Sequence, residues 1–291
     1  MSGSSEPVFA DRKLARLLEA AEAESNRSFV EARARVSPEV GAAWIEVAGA
    51  YALFDGPSSP LTQTFGLGMF QPLSEGDFEK IEGFFRQREA PVFHEVSPLA
   101  DPSALELLNR RGYQPIEFSS VLFRPISPDL RLGSRSSTSS TTESNATQGA
   151  TSPPSGLHVR LTESSEADLW ARTAAEGWSE YEGLSEVMLE VGAVNAARDD
   201  THCFLAESEG SPIAAGALSL HGQVALLAGA STIPSARRRG AQLALLEARL
   251  RFAARRGCTL AMMCAQPGSP SQRNAQRHNF QIAYTRIKWQ L

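Results

Sequence analysis

Thr232-Ile233-Pro234-Ser235-Ala236-Arg237-Arg238-Arg239-Gly240-Ala241-Gln242-Leu243 joins an apolar run, QVALLAGASTI, to a long helical stretch that reaches Arg256 and closes on Gly257. A strand that turns directly into a helix leaves the first N–H groups of that helix unpaired at the positive end of its dipole, an arrangement suited to a diphosphate. Gly240 has no Cβ and lets the backbone come close to such a ligand. A solvated helix start is the competing reading of three consecutive arginines. Cations at a helix N-terminus oppose the dipole, however, and an anion resolves that conflict.

Working outward, the C-terminal part reads as strand LHVRLTE, helix ESSEADLWARTAAEGW, helix YEGLSEVMLEVGAVNAAR, and strands HCFLAES, SPIAAGALSLHG and QVALLAGASTI. The long helix, strand TLAMMCAQ, short helix SPSQRNAQRHN and strand FQIAYTRIKWQL complete a β-α-α-β-β-β-α-β-α-β order. The N-terminal part ends on the same succession. Helix SEGDFEKIEGFFRQRE, strand PVFHEVS, helix DPSALELLNRRG and strand YQPIEFSSVLFRPI follow strand candidates AAWIEVAGAYALFDG and LTQTFGLGMF and a helix near Lys13 to Arg35. We read this as a diverged internal duplication. The helix in the first part that corresponds to the arginine-led one begins Ser74-Glu75-Gly76-Asp77, an acidic start that would repel phosphate.

Residues 127–156, rich in Ser, Thr, Gly and Pro, hold too little apolar surface to offset the entropy of ordering and read as a linker. Residues 1–126 and 157–291 are then the two domains expected of a 291-residue chain. Net charge is −6 over the first and +1 over the second, which makes the second the expected home of an anionic ligand. The whole-chain charge of −5 does not favour a nucleic-acid partner, and no apolar run is long enough for a membrane span. Three unpaired-looking cysteines and an N-terminus without an apolar h-region predict a cytoplasmic protein. The five histidines show no metal-ligand spacing, so no metal is expected. The basic set Arg249, Arg251, Arg255 and Arg256 reads as a solvated helix face.

Arg237-x-x-Gly240-x-Gln242 resembles the signature of the GNAT acyltransferases, which runs Arg or Gln, two residues, Gly, one residue, then Gly or Ala. Gln242 departs at the last position. The resemblance covers most of residues 157–291, and the N-terminal part looks like a degenerate copy. It implies an α/β protein with a mixed sheet, built as two GNAT-like acyl-CoA N-acyltransferase domains in tandem. It also implies acetyl-CoA as co-substrate, attacked at its thioester by a small-molecule or peptide amine. A homodimer is left open, as is an acyl-CoA-binding sensor without transfer activity.

The resemblance assigns cofactor contacts to Ser231, Thr232, Ile233, Arg237, Arg238, Arg239, Gly240, Ala241, Gln242 and Leu243, with Ser271 and Asn274 on the short helix. It implies a splay between two strands into which the pantetheine arm inserts, with Gly229 a candidate for its cause. The general acid of the family is commonly a Tyr at the position of Ala275, so Tyr284, four residues after Phe280, is the candidate substitute. No carboxylate occurs in ALLAGASTI, and the base candidates fall in the loop of Trp178, Glu180, Tyr181 and Glu182, with Glu180 the first of them.

Overall fold

The computed structural model describes residues 9–127 and 156–291. The expected linker therefore lies almost wholly outside the described residues. The first part contains α1 (Arg12–Val36), β1 (Ala43–Val47), β2 (Ala50–Phe54), β3 (Gln63–Phe65), α2 (Glu75–Arg86), β4 (Phe93–Val96), α3 (Pro102–Arg110) and β5 (Gln114–Pro125). The second contains β6 (Leu157–Leu161), α4 (Ala167–Glu176), α5 (Leu184–Ala196), β7 (Thr201–Ser208), β8 (Ser211–His221), β9 (Val224–Thr232), α6 (Ala241–Arg255), β10 (Leu260–Ala265), α7 (Pro270–Arg277) and β11 (Gln281–Gln290). The element order expected from the sequence is reproduced throughout the second part. In the first, the LTQTFGLGMF candidate is cut short, because Gly66 and Gly68 adopt left-handed backbone and turn the chain after Phe65.

Among the described residues, eleven strands form one mixed sheet in the order β1-β2-β3-β4-β11-β5-β10-β9-β8-β7-β6. Apart from the added edge strand β6, that order is a palindrome: β1 to β5 take the places that β7 to β11 take from the other side. At its centre the two parts exchange their last strands. β11 is seated between β4 and β5, and β5 between β11 and β10, all antiparallel. The fold is thus two units of like topology, each completed by a strand of the other. The strands that make the exchange are long, and β5 carries a buried apolar run of Val121, Leu122 and Phe123.

Burial divides by sheet face. Leu245, Leu246, Leu250, Phe252 and Ala253 of α6 pack on Phe204, Leu218, Ala225 and Leu227. Phe78, Ile81 and Phe85 of α2 pack with Leu107, Leu108 and Tyr113, and with Trp289 of the exchanged strand. A third cluster joins Leu14 and Leu18 of α1 to Val121, Phe123, Leu226, Met262 and Tyr284, so α1 of the first part lies on strands of the second.

Candidate active site

β9 and β10 run parallel and pair only at Val224–Leu260, Ala225–Ala261 and Leu226–Met262. Beyond that point β10 continues along β5, where Met263 and Cys264 pair with Leu122 and Val121, while β9 continues along β8. The strands therefore part. On the β8 side the register slips: Ala217 pairs with Ala228 but Ala215 with Ser231, so β9 carries one extra residue, a β-bulge. Gly229 lies inside it at φ +59, a conformation L side chains rarely adopt. Bulge and splay together expose Ala228 and Gly229 in the middle of the sheet.

After β9 the chain makes a 3₁₀ turn, Pro234–Ala236, and enters α6 through Arg238 at φ +64 and Gly240 at φ +83. Gly240 is the N-cap and supplies no side-chain cap, so the first N–H groups of α6 stay open. A cleft of ≈ 920 Å³ lies in front of them. Ser231, Thr232, Arg237, Arg238, Gly240, Ala241, Gln242, Leu243 and Asn274, all anticipated as cofactor contacts, line it. Ile233, Arg239 and Ser271 do not appear in its lining.

The cleft also takes in residues that no motif marks. Arg277 and His278 come from the end of α7. Burial, and then the nearby Arg124, hold the His278 imidazole below its ordinary range, so it is neutral at neutral pH. Gly177 brings the end of α4 against β9: a Cβ there would stand 2.5 Å from that of Ser231. The Ser231 hydroxyl donates to the Ala174 carbonyl at 2.8 Å, fixing that approach. Trp178 and Tyr181 form the wall beyond it. Gln242, the departure from the family pattern, donates from its side chain to Thr232 Oγ1 at 2.8 Å and ties the turn to the strand.

Two expected catalytic groups stand elsewhere or are engaged. Tyr284 is not at the cleft: it is 7% exposed beneath α1, and its hydroxyl donates to Glu19 Oε1 at 2.9 Å. Burial, reinforced by the Glu19 charge, pushes its pKa far above the phenol range. Its strand runs next to β5 rather than on the cleft side, a consequence of the exchange. Glu180 is not part of the lining; it is ion-paired with Arg237, which does line the cleft and also donates to the Gly177 carbonyl at 3.1 Å. The arginine that opens the motif is thus held by the α4–α5 loop. Arg249, expected to be solvated, is 2% exposed beneath the sheet.

The corresponding place in the first part is closed. α2 has a full capping box, with Asp77 Oδ2 accepting from the Ser74 N–H at 2.9 Å and its hydroxyl at 2.6 Å. Those hydrogen bonds hold the Asp77 carboxyl below its ordinary range and leave a negative charge where phosphate would go. Leu67 and Met69 fill the turn after β3 and are fully buried. Asp101 N–H donates to Gly68 O at 2.8 Å, and Arg111 bridges α3 to Glu75 and Glu82 of α2.

Residues 167–280 match the model of the acetyltransferase (GNAT) family. No curated protein matches the chain. Among solved structures, a GCN5-related N-acetyltransferase from Kribbella flavida has a TM-score of 0.58 at 17% identity, over 92% of this chain and 94% of that one. One from Sphaerobacter thermophilus gives 0.52 at 16%, over 79% and 71%. A tandem GNAT protein from the clavulanic acid biosynthesis pathway gives 0.56 at 13%, over 98% and 97%. Identities this low speak to the fold alone. Together with the family match, they place a GNAT domain in the second part of the chain and a tandem GNAT fold over the whole. Among the described residues, no helix is long and apolar enough to cross a membrane, and no group of three His, Cys, Asp or Glu is placed to hold a metal ion.

Proposed function

We propose that the chain is an acetyl-CoA-dependent N-acyltransferase whose donor site is the cleft between β9, α6 and α7, and whose acceptor is a small-molecule or peptide amine. The observation that carries this reading is the uncapped start of α6, with left-handed Arg238 and Gly240, at the mouth of two parted strands. Open N–H groups and the positive end of the dipole suit the diphosphate, and Arg238 and Arg277 add charge to the same wall. The free edge of β9 suits an extended amide-bearing arm, which would add to it as a strand adds. Acetyl-CoA supplies the activated acyl group.

The chain's own residues bind, orient and polarise. The turn before α6 fixes the diphosphate, and the β9 edge aligns the arm so that the thioester lies by the bulge at Ala228–Ala230. Holding donor and amine together removes much of the entropic barrier. Among the described side chains none stands out as a dedicated acid, and water reaching the open cleft serves the leaving thiolate. The first part acts as a scaffold: it contributes β5 to the sheet beside β10 and α1 to its face, and its own cleft is closed.

The test is calorimetry with coenzyme A together with thiol release from acetyl-CoA across an amine panel. Binding and amine-dependent release support the reading. Heat without release is the outcome expected of a binding-only sensor. For Arg238→Ala with Arg277→Ala, affinity should fall by about 10- to 100-fold, one to two decades for two charge-assisted contacts.

A further inference from the structure

Arg249 is the buried cation of α6, and its surroundings are unusual. A guanidinium taken from water needs a carboxylate or a full set of acceptors. Among the described residues no carboxylate stands within ion-pair distance of it. Its Nη1 instead donates to two carbonyls on different strands, Ala217 O of β8 at 3.0 Å and Ala228 O of β9 at 3.3 Å. Nε donates to Leu245 O, one turn back, at 3.2 Å.

Ala217 and Ala228 are the pair at which the β8–β9 register fails. The guanidinium therefore spans the two strands where the extra residue of β9 begins. Room for it comes from Gly216, where a Cβ would lie 3.3 Å from Arg249 Cζ. A Leu or Met would cover the same sheet surface without the desolvation cost, but would donate nothing to these carbonyls. On the far side of Ala228 the strand is open to the splay through Gly229.

The geometry points to Arg249 as a positioning residue for acyl transfer: by fixing the Ala228 carbonyl from beneath, it holds the bulge so that main-chain N–H groups of β9 face the acyl oxygen. It touches no reactant and acts through β9. Its charge, fixed behind that edge in a water-poor setting, adds to the field on an oxygen that becomes negative as the amine attacks. Burial pulls its pKa down only to about 10, so the guanidinium is charged at neutral pH. This inference rests on the cleft being the acyl-donor site.

The experiment uses the full chain, acetyl-CoA carrying ¹³C at the acyl carbonyl, and the variants Arg249→Met and Arg249→Lys. Calorimetry reads donor binding and an infrared difference spectrum reads the bound carbonyl. In the wild type that band should move to lower frequency on binding. The Met variant should keep its donor affinity within about threefold, lose most of the band shift, and lose about 100-fold in kcat with little change in KM for acetyl-CoA. The Lys variant, which keeps the charge and one donor in a smaller perturbation, should retain part of both. It decides the matter if the Met variant fails to fold. A folded variant with wild-type band shift and kcat overturns the assignment, as does loss of affinity and turnover in equal proportion. Wild-type binding without any band shift overturns it while leaving the donor site standing. No wild-type binding of acetyl-CoA at all overturns the donor site, and this assignment with it.

Discussion

Arg286 of β11 stands 2.7 Å from Glu22 of α1, and both are largely withdrawn from solvent. The same guanidinium reaches Glu95 of β4 at 3.1 Å and Glu19 of α1 at 3.6 Å. Arg286 thus ties a strand of the second part to a helix and a strand of the first, at the centre of the exchanged sheet. Three carboxylates share one cation, and the Cys264 thiol donates to Glu22 Oε2 at 3.2 Å. Such an imbalance favours keeping a proton within the cluster.

Burial raises the pKa of both Glu19 and Glu95. That of Glu19 reaches about 7, against the pull of Arg286 and the hydrogen bond from Tyr284, while Glu22 and Glu95 push the same way as burial. An acid whose pKa is raised by folding binds protons more tightly in the native state. Its contribution to stability is therefore complete below the ordinary value of 4.5 and is lost as pH rises through about 7. Thermal melts of the wild type against Glu19→Gln should diverge over that window. The glutamine variant gains on the wild type as pH goes from 5 to 7.5 (about the span of the shift), and a constant difference would refute the assignment.

Tyr284 stands in this cluster and outside the lining of the cleft. Tyr284→Phe should leave kcat within about twofold and lower stability by about 1–3 kcal/mol, since it strips a donor from a buried carboxylate. Urea melts and initial rates read the two effects separately. A loss of turnover without loss of stability would return the residue to the active site.

The contrast between Tyr284 and Gly240 shows which features are legible in sequence. Strands, helices, caps and the phosphate-suited turn depend on neighbours within a few residues, and these are readable: the acidic start at Ser74 and the bare one at Gly240 are both found as expected. Strand partners depend on residues far apart in the chain. Nothing local in YQPIEFSSVLFRPI or FQIAYTRIKWQL says that each pairs with the other and separates its own neighbours. Placing Tyr284 requires that fact. Arg249 misleads for a related reason: its sequence context is a basic helix face, and only Gly216 on another element makes room for it. Arg277 and His278 carry no motif, and enter the cleft because α7 ends there.

Glu180 offers a sharper test of the acceptor side. It is ion-paired with Arg237 at the exposed surface, where such a pair is worth about 0–1 kcal/mol. Glu180→Gln releases Arg237 for phosphate, so coenzyme A affinity should rise by about 2- to 5-fold, more at low than at high salt. Turnover at saturating donor should be unchanged. A fall of about 100-fold or more in kcat at saturating donor would make Glu180 the general base after all.

Binding stoichiometry tests the closure of the first part. Titration of the full chain with coenzyme A should give one site, because the α2 start already holds Asp77 and the turn before it is filled by Leu67 and Met69. Breaking the bridge between α2 and α3 should not create a second. Arg111→Ala takes both guanidinium contacts from the Glu82 carboxylate, whose side chain is 4% exposed, leaves it Arg86 at 3.6 Å and the Tyr113 hydroxyl at 3.1 Å, and should cost about 1–3 kcal/mol of stability. Yet its coenzyme A stoichiometry should stay at one, since the arginine removed blocks no anion and the acid beneath remains. Adding Asp77→Ala removes that acid too, but leaves the two apolar side chains in the turn, so the count should still not change. A second binding event in either variant would show that the first part keeps a working cradle and is masked rather than lost.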